Sequence, residues 1–201
     1  INSLKEFLYQ INDENSSSRF NALLSGGTPQ GGDPLKGALS IKKDGLIPQW
    51  MMDWGTYIKR WSDFHSWLGV DKGQCISKGQ DEANQWDKTY KIIFEKGDDI
   101  KDKYAKLKDA LTRYACAISV CAWYERDGMY YKPTGLDDTH LVQVLKLKDN
   151  NCLVIKDTYE PFLKTIEPNI DFDFCLGWTI RKLSPEEMLN NAQKSLIIKL
   201  Y

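Results

Sequence analysis

Thr139-His140-Leu141-Val142-Gln143-Val144-Leu145-Lys146-Leu147-Lys148-Asp149-Asn150-Asn151-Cys152-Leu153-Val154-Ile155-Lys156-Asp157 is a β-hairpin by its composition. Two runs rich in Val, Ile and Leu flank Lys148-Asp149-Asn150-Asn151, four polar residues of the kind that reverse a chain. Strands are predicted over 140–147 and 152–156. Centring the turn between Asp149 and Asn150 places Asp157 opposite Val142. His140 then lies two residues along on the same face, a diagonal neighbour within side-chain reach of Asp157. A carboxylate so placed orients an imidazole, as the third group of a nucleophilic triad does. A register slip of one residue would put the two on opposite faces. The ordinary alternative is a solvated ion pair at a sheet edge.

Outward from the hairpin, the period of the apolar residues changes along the chain. Phe172, Phe174, Leu176, Trp178 and Ile180 alternate, as do residues of Ala115–Tyr124, so both read as strands. Arg126-Asp127-Gly128 is a turn, Met129–Tyr131 the strand that returns from it, and Tyr90–Phe94 a further short strand. Pro185–Tyr201 reads as a terminal helix or tail. Upstream the period is helical. Leu4, Phe7, Leu8 and Ile11 share one face, Arg19–Leu24 is a short helical piece, and Asp98–Tyr114 carries the stripe Ile100, Tyr104, Leu107, Leu111. Asp33, Pro34 and Gly45 are a cap, a first-turn proline and a stop around another helix. Trp61, Phe64 and Trp67 suggest helical packing over Tyr57–Leu68, and the polar run Asp71–Asp87 reads as loop. Helices first and strands second predict an α+β fold of two lobes.

The chain of 201 residues carries 27 Lys and Arg against 28 Asp and Glu, a net charge of −1. That balance excludes binding by broad phosphate neutralisation, so no nucleic-acid partner is expected. No apolar run is long enough to span a membrane. Five cysteines without a CxxC pair, and two histidines in all, argue against a zinc site. Cys75, Cys116, Cys121, Cys152 and Cys175 read as buried reduced thiols, and His65 as a surface or interface residue. No metal or other cofactor is called for.

Several segments together resemble papain-like cysteine peptidases. They are Gly26-Gly27-Thr28-Pro29-Gln30-Gly31-Gly32-Asp33-Pro34 with the following Ala38–Leu46, Leu107–Leu111 with Ala117–Ala122, Asp127–Pro133, Thr139–Val144, and Val154–Tyr159. The likeness covers about residues 1–50 and 105–182. It implies a peptidase domain over 1–182, with a helical lobe 1–105 carrying an insert at 50–105, a β lobe 106–182, and a helix or tail at 183–201. It also implies that His140 is the general base and acid and that Asp157, where the family has Asn, orients it. Gly31, Gly32, Asp33, Pro34, Thr139 and Tyr159 would contact a peptide or protein substrate in the cleft between lobes, with Tyr159 standing where the family has Trp.

The nucleophile is the departure. Such families place the His about 130–150 residues after the catalytic Cys. Residues 1–10 contain no Cys, so the expectation is a thiol supplied upstream of Ile1 or by a partner chain. The alternatives are a catalytically inactive papain-like binding or structural module, and another Cys–His–Asp enzyme such as a cell-wall amidase or transglutaminase-like protein.

Overall fold

The computed structural model describes residues 16–28, 32–53, 55, 57–121, 124–133, 135–138, 140–157 and 160–198. The helix expected over Leu4–Ile11 lies outside them. The fold is α+β. Among the described residues one compact unit is Tyr90–Thr179, and a second combines residues up to Thr89 with those from Ile180 onward.

In the helical unit, α1 spans Ser18–Ser25 and α2 Pro34–Asp44. Capping explains both. The Ser17 hydroxyl accepts from the Phe20 amide at 3.0 Å, and an Asp33 carboxylate oxygen accepts from the Leu35 amide at 2.8 Å. The chain leaves α2 at Gly45, whose φ of +77° suits glycine.

Residues 57–68 depart from the helical expectation. Only α3, Trp61–Phe64, is helical. The carbonyls of this stretch turn instead to Arg19, which is fully buried. Its guanidinium donates to the carbonyls of Asp53, Asp63, Phe64, Ser66 and Leu68 at 2.7–3.3 Å. One buried side chain thus satisfies five main-chain acceptors, at Asp53 and at four positions within 63–68. His65 is half-buried rather than a surface residue. Its ring lies 4.7 Å from Trp61 and 5.0 Å from Phe64, and burial holds its pKa below the ordinary imidazole value.

The polar run read as loop is also a helix, α4, over Lys72–Gln85. Asp71 caps it through the Gln74 amide at 3.0 Å. Its buried stripe is thin, only Cys75 and Gly79, so hydrophobic periodicity gives little sign of it. Gly79 is where α4 meets the end of α2. A Cβ there would stand 2.3 Å from the Asp44 carbonyl oxygen and 2.9 Å from the Phe20 ring.

The eight strands form one sheet in the order β1-β8-β2-β5-β6-β7-β4-β3. They are β1 Trp86–Phe94, β2 Ala115–Val120, β3 Tyr124–Arg126, β4 Met129–Tyr131, β5 His140–Leu147, β6 Leu153–Lys156, β7 Leu163–Ile166 and β8 Cys175–Lys182. Strand β7 was not expected, and Phe172 and Phe174 precede β8 rather than forming its start. Helix α5, Ile100–Ala110, starts at the Asp99 cap. Its Tyr104, Leu107 and Ala110 join Ile118, Val120, Val142, Val144, Leu153, Ile155 and Ile166 in the core. Back in the helical unit, α6 covers Pro185–Ile198. The Ser184 hydroxyl and Glu187 carboxylate there accept each other's amides, at 3.3 and 2.8 Å, a reciprocal cap.

The hairpin is the part that positions the site. Its turn centres on Asn150 rather than between Asp149 and Asn150, which shifts the register by one residue. Lys148 N–H bonds the Cys152 carbonyl at 2.9 Å, and next to the turn Leu147 pairs with Leu153 and Lys146 with Val154. Carried along unchanged, that register would set Asp157 opposite Gln143, on the other face from His140. A β-bulge between Val144 and Lys146 absorbs one residue, Leu145, and beyond it Val144 pairs with Ile155 and Gln143 with Lys156. The expected facing of Asp157 and Val142 is therefore restored at the far end of the hairpin.

Candidate functional site

His140 opens β5 and pairs with Val120 of β2. Asp157 follows β6 directly, its amide donating to the Phe162 carbonyl at 2.7 Å. The pleat puts His140, Val142, Ile155 and Asp157 on one face. Ile155 pairs in turn with Lys164 of β7, so Lys164 joins the same face. Three titratable side chains thus cross three neighbouring strands in a diagonal row. They form the polar end of a face whose remainder is the hydrophobic core.

Asp157 sits in the middle of the row. One carboxylate oxygen, Oδ1, lies 2.8 Å from His140 Nε2, and the other, Oδ2, accepts from Lys164 Nζ at 2.9 Å. Lys164 Nζ also donates to the Pro161 carbonyl at 2.9 Å and stands 5.5 Å from the centre of the Tyr130 ring. The side chains of Asp157 and Lys164 are 1 % and 4 % exposed, whereas that of His140 is 29 % exposed. The imidazole is therefore the member of the row that a reactant can meet. An ionised carboxylate only accepts, so Nε2 carries the proton and the basic lone pair resides on Nδ1. Such a ring can take a proton and return it, with the resulting imidazolium stabilised by Asp157.

Sequence reasoning brought His140 and Asp157 together and missed Lys164. Gly32, Asp33 and Pro34 belong to the helical unit, where they are exposed and begin α2. Gly31, Thr139 and Tyr159 lie outside the described residues.

All five cysteines are buried thiols outside any disulfide, as expected. Cys75 lies on α4 and Cys116 and Cys175 lie in β2 and β8, whereas Cys121 and Cys152 stand just outside β2 and β6 rather than within strands. Burial raises the thiol pKa of Cys75 and Cys121. Between Cys116 and Cys175, on adjacent strands, a hydrogen bond acts in opposite directions, raising Cys175 far above the ordinary thiol and lowering Cys116 against the effect of burial. A thiol raised in this way is held as SH, not as the thiolate that attacks carbonyls.

Among the described residues no group of three or more His, Cys, Asp or Glu side chains is placed to hold a metal ion. Among them, too, no helix is long and apolar enough to cross a membrane. Compared with family models and with curated proteins, the chain matches none.

Proposed function

We propose that this chain carries the His–Asp half of a papain-like thiol peptidase, in a papain-like two-lobed fold. The carrying observation is the 2.8 Å contact between a buried carboxylate and the half-exposed His140. In this reading a cysteine thiolate adds to a peptide carbonyl, and the imidazolium of His140 gives its proton to the leaving amine. Water, deprotonated by the same ring, then releases the acyl group and regenerates the thiol. Asp157 orients the ring throughout. The substrate class is an extended peptide, and Gly31, Gly32, Asp33, Pro34, Thr139 and Tyr159 are the residues the family resemblance assigns to binding it. The reading requires a thiol other than the five buried ones, from an upstream segment or a partner chain.

A non-catalytic papain-like binding or structural module is the second reading, and the burial of all five thiols favours it. An epoxysuccinyl thiol label on the full-length gene product separates the two. The peptidase reading expects one adduct on a cysteine outside these five, formed much more slowly in His140→Ala. A folded protein that takes no adduct overturns it and leaves the binding module.

A further inference from the structure

The proposed reaction has no use for Lys164, although lysine is costly to bury and this one is 4 % exposed. We propose that Lys164 is a positioning residue: it keeps Asp157 ionised and occupies Oδ2, so that Oδ1 is fixed on His140 Nε2. The geometry divides the carboxylate between two partners, His140 at 2.8 Å and Lys164 at 2.9 Å. Lys164 cannot easily swing away. Its Nζ is also bonded to the Pro161 carbonyl and faces the Tyr130 ring, while its backbone is paired with Ile155. Among the described residues, Asp157 from the end of β6, Lys164 from β7 and Tyr130 from β4 are the titratable groups that make up this row with His140.

The charge balance gives the role its consequence. Asp157 and Lys164 neutralise one another, so protonating His140 adds a net positive charge to the row. Without Lys164, the same proton would complete a neutral pair with Asp157. Removing the lysine therefore raises the affinity of the His140–Asp157 pair for one proton, whichever of the two carries it. A base that must cycle through both protonation states is kept from locking in the charged one. This importance for catalysis rests on the reading of His140 as general base; the coupling itself does not.

The test is an NMR titration of the whole chain labelled at histidine Cε1, in which His65 and His140 give the only two signals. In Lys164→Met the His140 midpoint should rise by about one pH unit relative to the unaltered chain. In Lys164→Arg it should stay near its original place, and His65 should not move in either variant. An unmoved His140 in a folded Lys164→Met overturns the proposal. Should that variant fail to fold, the unaltered chain serves. The Lys164 Nζ signal must then shift through the same midpoint as His140, and an Nζ signal indifferent to the His140 titration overturns the proposal equally. Absent thiol labelling alongside an intact coupling would refute only the peptidase reading.

Discussion

Replacing Asp157 by Asn keeps the shape of the side chain and removes its charge, which isolates the electrostatic part of the row. The gross attraction lost is large: unit charges 2.9 Å apart at an effective dielectric of 20 attract by about 6 kcal/mol. Desolvating both ions offsets much of this, and breaking one side of a buried pair costs about 3–5 kcal/mol in practice. Lys164, 4 % exposed, would lose the charge of Asp157 while keeping its bond to the Pro161 carbonyl and its place over the Tyr130 ring. For a chain of this size the loss corresponds to a fall in Tm of roughly 6–20 °C. The double variant Asp157→Leu, Lys164→Met removes both ions and should recover most of the loss, since apolar replacement of a buried pair is commonly neutral or favourable by about 1–4 kcal/mol. His140→Gln should cost less than about 1 kcal/mol, because the buried pair survives. Urea unfolding of the four proteins gives the three changes in stability side by side. A loss below about 1 kcal/mol in Asp157→Asn, or a double variant as unstable as the single, would refute the view that Asp157 is held by a buried counter-charge.

Two glycines of α4 should respond oppositely to alanine. Gly79→Ala should destabilise by about 1–3 kcal/mol, because the 2.3 Å approach to the Asp44 carbonyl outweighs the gain in helix propensity, whereas Gly73→Ala, with its nearest neighbour at 3.4 Å, should stabilise by up to about 0.5 kcal/mol in thermal melts. Arg19→Met strips the donor from five carbonyls and should cost about 3 kcal/mol or more, with hydrogen exchange accelerating first across 53–68; equal protection there in the variant would contradict the anchoring role. The start of α6 should weaken in acid. Hydrogen bonds from Arg181 and Ser184 hold the Glu187 pKa down to about 2, so its contribution is complete above the ordinary glutamate range near pH 4.5 and disappears as pH falls through about 2. The Ser184 amide chemical shift reports this directly and should titrate with that midpoint.

The legible parts of the molecule were those whose causes are local. Asp33, Pro34 and Gly45 delimit α2 because capping and left-handed φ act within one turn. The strands of the hairpin were legible from their β-rich apolar runs. The facing of Asp157 and Val142 was expected from a turn that proves to be elsewhere, and it holds only because the Leu145 bulge cancels that offset. Helix α4 was hidden because its contact is made by a thiol and a missing side chain, Cys75 and Gly79, which carry almost no hydrophobic signal. Lys164 was hidden for the converse reason. A lysine in a short strand reads as a solvent-facing residue, and only the pairing of β6 with β7 turns it toward a carboxylate seven positions earlier. Arg19 shows the same limit, since its acceptors lie 34–49 residues away in the chain.

The bulge at Leu145 also sets a parity rule for change in this hairpin. Away from the bulge, adding or removing two residues within one strand keeps His140 and Asp157 on a common face, whereas a change of one sends them to opposite sides. The chain already contains one such single step, and it sits on a residue 44 % exposed, where an extra side chain disturbs little packing. Deleting Leu145 alone should therefore leave the imidazole against its carboxylate, because the pairs Lys146 with Val154 and Val144 with Ile155 then follow one another without a step.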